Sequence, residues 1–240
     1  MLINPQELYS DLDRLEEIEK ASLRLVVQAL YEYRDDAREI FRQESDNAAD
    51  IGEDITREAL DRMGMSKVDQ RLFGKVDYKR ARYVFHPEYA LKQALFVDSK
   101  AEKDSQGVAR IQITQTSMRV RQVRAGQNID IAGHLPVILQ IRDEVFLTTT
   151  AFVKYHYHEN MVNGEKQNEL EAITVVALPS GMLQDKYNPT FTNTIWVAGP
   201  NAPSLGEEFR TRLSFRRLQE KANWRVQNIP MSPNSFVWNS

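Results

Sequence analysis

The 240-residue sequence contains no cysteine. Disulfides, thiol catalysis and zinc–thiolate sites are thereby excluded together. It also lacks any apolar run approaching the roughly 18 residues that a membrane span requires. Its opening, MLINPQELYSDLDRLEEIEK, is acidic and has no basic-then-apolar layout of a secretory leader. A cytoplasmic protein with no membrane partner is the expectation. No internal repeat, low-complexity tract or evident linker interrupts the chain, so a single domain over residues 1–240 is expected.

Hydrophobic residues make up 42% and charged residues 27%, a balance that allows one substantial core in a chain of this length. The net charge of −3 hides an uneven distribution. Residues 1–70 hold 9 Lys+Arg and 18 Asp+Glu, whereas residues 71–240 hold 22 and 16. An acidic segment joined to a basic one permits a basic working surface that could meet nucleic acid.

Periodicity divides the chain at the same place. Over residues 11–44, Leu12, Leu15, Ile18, Ser22, Leu25, Ala29, Tyr33, Ala37 and Ile40 recur at three- and four-residue steps, predicting one or two amphipathic helices. A second helix is expected over 50–64, with Asp50 as cap, Glu53 completing a capping box and Gly64 at the stop. After residue 70 the period becomes alternating. Strands are predicted over 72–85, 92–101, 109–123, 135–141, 145–157, 170–178, 194–198 and 207–215, with a last helix over 216–223 and a tail beyond it. The architecture expected is a sheet with helices packed against it, mainly helical over 1–70 and sheet-rich over 71–228.

The stretch DYKRARYVFHPEYALKQALFVDSKAEK (77–103) carries the chemistry. Aspartate is depleted in strands, and a buried carboxylate without a partner is costly. In an antiparallel hairpin, paired residue numbers have a constant sum. A fold-back between Pro87 and Glu88 would set Asp77 opposite Asp98, and Lys100 would share their face. Two carboxylates and an ammonium would then converge within roughly 5–7 Å. Oxygen ligands with open positions suit Mg²⁺, which binds through one or two carboxylates plus a substrate phosphate. On this reading Asp77 and Asp98 hold the metal and Lys100 orients a water or neutralises phosphate oxygens. A plain cross-strand ion pair accounts for the same residues without chemistry.

Other residue pairs have weaker claims. Arg210 and Arg212 lie two apart on a predicted strand, an arrangement suited to guanine edges in a major groove. Arg119 and Arg121, followed by Arg124, repeat it, and Lys79, Arg80 and Arg82 flank Asp77. All are candidates for phosphate or base contacts, against a solvated basic sheet edge. His156 and His158 have a metal-ligand spacing but no evident third ligand. Asn188 before a proline reads as a turn former, and Glu53 and Asp54 could lend an outer carboxylate.

Several segments together have a familiar order. VVQAL (26–30), EDIT (53–56), DYKR (77–80), VDSKAEK (97–103), KYNP (186–189) and NWRVQ (223–227) resemble, collinearly and at similar spacing, the SfiI-type restriction endonucleases. VDSKAEK is also similar to the active-site strand of the related BglI. The resemblance covers roughly residues 10 to 228. It implies an α/β, restriction-endonuclease-like core of the PD-(D/E)xK superfamily: a mixed β-sheet flanked by helices, with an N-terminal helical segment. It further implies Mg²⁺-dependent double-strand cuts at a specific, palindromic or interrupted DNA site, leaving 5′-phosphate and 3′-hydroxyl ends. The catalytic triple it implies falls on Asp77, Asp98 and Lys100, with Arg210 and Arg212 reading bases. Ser99 fills the variable position, and Asp98 stands where many relatives of the wider fold have Glu. A palindromic target implies at least a two-fold dimer, and the resemblance implies a homodimer or homotetramer. The alternatives are a structure-selective repair or mobile-element nuclease on the same core, a non-catalytic DNA-binding module whose carboxylates form an ion pair, and a metal-dependent hydrolase of small molecules using His156 and His158.

Overall fold

The computed structural model describes residues 2–44, 48–64, 81–86, 88–103, 107–199 and 209–240. The predicted first helix is one continuous element, α1 (Leu12–Gln43), capped by the Asp11 carboxylate, which accepts from the Arg14 amide at 3.1 Å. At 1.5 Å per residue its 32 residues span about 48 Å. Its buried stripe includes Leu15, Ile18, Leu23, Val26, Leu30, Tyr33 and Phe41, while Leu12 is exposed. The second helix, α2 (Ala48–Arg62), begins two residues before the expected cap. Asp50 therefore lies in its first turn, where a carboxylate still suits the helix dipole. Gly64 follows with φ +71°, the left-handed stop that glycine supplies most easily.

Both helices cover one face of a mixed six-stranded sheet. Its strands are β1 (Ala81–His86), β2 (Leu91–Glu102), β6 (Ile138–Ile141), β7 (Glu144–Val162), β8 (Glu165–Leu178) and β11 (Val226–Pro230). They run in the order β1-β2-β7-β8-β11, with β6 also pairing β7. Among the described residues, only the β2–β7 pair of this sheet is parallel. Alternation along the strands then sorts side chains between two cores. Leu95, Val97, Ala151, Val153, Tyr155, Ile173 and Val175 meet α1 and α2. Phe152, Val176, Leu178 and Val226 face the other way and pack with Ala109, Ile111, Trp196 and Leu213.

That second layer is a three-stranded sheet of β3 (Val108–Gln112), β9 (Trp196–Val197) and β10 (Arg210–Ser214), ordered β3-β10-β9. A further hairpin joins β4 (Val120–Arg124) to β5 (Gln127–Ile131). The expected single strand over 109–123 is thus two strands, separated by a 3₁₀ turn at Ile113–Gln115. Close approach explains the break. A Cβ at Gly133 would lie 2.3 Å from the Thr116 carbonyl oxygen, and one at Gly181 2.5 Å from that of Ser117. The backbone at 116–118 is therefore held against two glycines rather than in a sheet ladder.

The expected helix over 216–223 is α4 (Phe215–Lys221), begun by the Ser214 cap, and a short helix α3 (Gln184–Tyr187) precedes Asn188. Strands β5 and β11 were not apparent from alternation. The C-terminal tail is anchored: Gln227 and Asn239 exchange hydrogen bonds, and Phe236 and Trp238 pack on the first core. No described helix is long and apolar enough to cross a membrane.

Candidate active site and nucleic-acid interface

Strand β2 is buried from Leu91 through Ser99 except for Lys92, and becomes partly exposed at Lys100. Asp98, only 5% exposed, stands at that transition. Its Oδ2 lies 3.6 Å from Nζ of Lys100, whose side chain is 38% exposed. The two share a face, as their spacing predicts. Ser99 points the other way and donates to Thr56 Oγ1 at 2.7 Å, and Thr56 also meets the Tyr155 hydroxyl at 2.7 Å. The strand is thereby pinned to α2 at the residue between the aspartate and the lysine. Burial holds the Tyr155 hydroxyl well above its ordinary pKa, so it stays protonated in this network.

The hairpin register differs from the expectation. Ala81 pairs Phe96 and His86 pairs Leu91, so paired numbers add to 177 rather than 175. The fold-back is centred between Glu88 and Tyr89, with the Tyr89 amide donating to the His86 carbonyl at 3.1 Å. The fold-back that would set Asp77 opposite Asp98 is therefore not the one formed over residues 81–96. Asp77, Lys79 and Arg80 themselves lie outside the described residues.

At the partly open end of a buried strand Asp98 offers a hard carboxylate ligand with an ammonium beside it. Such a ligand fits Mg²⁺, which uses one or two carboxylates and completes its shell with water and phosphate oxygens. No group of three His, Cys, Asp or Glu side chains that could cage a metal occurs among the described residues. His156 and His158 have separate partners instead. His156 Nε2 meets Thr174 Oγ1 at 2.7 Å, and His158 Nδ1 meets Glu171 at 2.9 Å. Burial lowers the pKa of His156, and neighbouring Lys154 adds to the effect.

Arg210 and Arg212 both lie on β10, and alternation puts them on one face, opposite to buried Thr211 and Leu213. Arg212 is paired directly with Arg110 of β3. Arg110 is exposed between buried Ala109 and Ile111, a pattern legible in VARIQ but missed in reading the sequence. Like charges directly opposite in a sheet destabilise it. Arg119 and Arg121 are more committed. Both reach Asp130 of β5, at 2.8 and 3.5 Å, and Arg121 also donates to the Pro189 carbonyl at 2.9 Å. Arg82, fully buried, pairs with Asp61 at 2.9 Å, and Arg124 lies over the Phe209 ring. Asp54 pairs with Arg57 on the surface. Asn188 is buried at the end of α3, where its amide donates to the Arg119 carbonyl, in keeping with a turn former.

Comparison with known proteins identifies a family and a fold. The family model described as type II restriction enzyme SfiI matches residues 30–229. A protein of Streptomyces fimbriatus, type II restriction enzyme SfiI, is 35% identical over 235 residues, covering 93% of this chain and 87% of the relative. The crystal structure of tetrameric restriction endonuclease SfiI bound to cognate DNA superposes with a TM-score of 0.79 at 34% identity, over 93% of this chain and 87% of that one. That of restriction endonuclease BglI bound to its DNA recognition sequence matches with a TM-score of 0.75 at 14% identity, over 95% and 94%, a likeness of fold.

Proposed function

This chain belongs to the SfiI family of type II restriction enzymes, and from that membership we propose how its residues carry out the cut. The protein is a site-specific endonuclease. Its substrate on this reading is double-stranded DNA, in line with the cognate DNA bound in the SfiI crystal structure. Asp98 and, by the resemblance, Asp77 would hold a divalent cation, Mg²⁺ by the hardness of carboxylate donors. When bound, the ion lowers the pKa of a water and neutralises charge on the phosphate. Lys100 orients the attacking water or donates to a non-bridging oxygen as negative charge builds there. The water oxygen forms a bond to phosphorus and the bond to the 3′ oxygen breaks, leaving 5′-phosphate and 3′-hydroxyl ends.

The observation that carries this reading is the Asp98–Lys100 pair on one face of a strand whose burial ends between them. Recognition falls to the face of β3 and β10 that bears Arg110, Arg210 and Arg212, the opposed Arg110 and Arg212 being a charge arrangement that a DNA backbone or guanine edges would relieve. Arg119 and Arg121, with Lys79 and Arg80, are phosphate contacts, Asp130 holding the first two in place. A palindromic site requires at least a two-fold dimer, since each centre cuts one strand. The tetramer seen for SfiI supports pairing of two such dimers.

The test is a digest of long, sequenced, unmethylated duplex DNA by the purified protein, with and without Mg²⁺. Discrete bands that need Mg²⁺ are expected, and sequencing their ends gives the site and stagger. Tight binding with no cutting across several genomes would leave only a DNA-binding module.

A further inference from the structure

Lys154 is buried to the last atom in the middle of β7, directly beside Lys100 in the parallel ladder. A buried ammonium costs free energy unless it is paired with good geometry. Lys154 Nζ meets Glu102 Oε2 at 2.8 Å and donates to the Val108 carbonyl at 3.2 Å. Stability alone is a poor reason for such a pair, because well-packed apolar side chains serve as well or better. Its geometry suggests another reason. Glu102 is the last residue of β2, two beyond Lys100, and Val108 is the first of β3. Strand β3 in turn pairs with β10, setting Arg110 against Arg212. One ammonium thus clamps both the end of the strand that bears Asp98 and Lys100 and the start of the strand that bears Arg110.

We propose that Lys154 is a positioning residue that couples DNA recognition by the β3–β10 sheet to alignment of the Asp98–Lys100 pair. The proposal rests on the reading of those two surfaces given above. Force applied to β3 by bound DNA reaches β2 through two directional bonds on a single rigid anchor. A site that seats the arginines correctly therefore sets the register of Lys100. One that seats them poorly does not.

Lys154→Met removes the clamp but leaves Glu102 partly buried with its charge unpaired. The double variant Lys154→Met/Glu102→Gln removes that penalty while leaving the clamp absent, and so separates positioning from plain stability. Thermal unfolding, binding without divalent metal, and single-turnover cleavage would be measured on the mapped site and on sites with one altered base pair. The double variant should fold and bind the mapped site as wild type does, yet cut it about 10- to 100-fold more slowly, the order expected for a misplaced reacting group. Cutting at altered sites should change less, so discrimination narrows. Wild-type cutting by the double variant, or an equal loss at mapped and altered sites, would overturn the proposal. Should the double variant fail to fold, Glu102→Gln alone breaks one arm of the clamp and must shift discrimination in the same direction. Lys100→Ala run in parallel distinguishes the failures. If it still cuts, the underlying reading is wrong; if it is dead while the Lys154 variant is normal, only the coupling is.

Discussion

The side chain of Arg212 lies across Gly199, so that a Cβ at position 199 would come within 2.7 Å of the arginine Nε and 3.1 Å of its Cζ. Glycine at this position leaves the room in which the guanidinium is aimed. Gly199→Ala should swing Arg212 away while sparing the core, since the three atoms nearest the added Cβ all belong to Arg212. The expected result is an unchanged melting temperature and a loss of discrimination at one base pair, of about 1–3 kcal/mol if Arg212 makes a bidentate base contact. Cleavage rates on a panel of singly substituted sites would show it, and equal loss at every position would assign Arg212 to phosphate instead.

Lys100→Ala and Asp98→Asn both act at the pair on β2. Each should lower the cleavage rate by roughly 10²–10³-fold or more, the loss typical when a transition-state charge stabiliser is removed. Binding measured by gel shift should survive in Lys100→Ala. A Lys100→Ala protein cutting at the wild-type rate would remove the assignment.

Arg225 is fully buried and binds three partners: the Tyr187 hydroxyl at 2.7 Å, Glu19 at 2.6 Å and Glu16 at 3.1 Å. This network ties α1 to α3 and to the 3₁₀ turn (Asn223–Arg225) that leads into β11. Arg225→Met leaves Glu19 buried without its counter-ion and should cost about 3–5 kcal/mol. Arg225→Met/Glu19→Leu should recover much of that in chemical denaturation. If the double variant is no more stable than the single, the cost lies in packing rather than charge.

Glu169 of β8 accepts from Arg42 at 2.7 and 2.9 Å and from Arg38 at 2.7 Å. The Arg42 bonds chiefly hold its carboxyl below the usual value of 4.5; partial burial opposes this and Arg38 reinforces it. The unfolded chain therefore takes up the proton first as pH falls. The stabilisation is whole above about pH 4.5 and drains away as pH drops through the lower folded value. Glu169→Gln should be less stable than wild type at pH 7 by about 1 kcal/mol, since the contact is partly solvated. Urea titrations across pH should show the gap closing in acid.

Much of this was legible because the signals are local. The stripe of α1, the change of period after residue 70 and the shared face of Asp98 and Lys100 all follow from the 3.6- and 2-residue repeats of a single segment. So does the paired direction of Arg210 and Arg212. The collinear resemblance to SfiI-type enzymes carried the function further than any one motif could.

What the chain alone left open depends on partners distant in sequence. Register is one case: residues between 86 and 91 set the pairing of β1 with β2, and a shift of two in the sum moves every cross-strand neighbour. Strands β5 and β11, QNIDI and VQNIP, alternate too weakly to announce themselves and exist because β4 and β8 offer them ladders. Arg110 becomes significant only when β10 sets Arg212 opposite it, and Lys154 only when β2 and β3 deliver Glu102 and Val108 to its ammonium. Local sequence determined which face each side chain takes. Tertiary packing decided which side chains meet, because pairing across a sheet is fixed by the hydrogen bonds and turns of two separate segments rather than by the period of either.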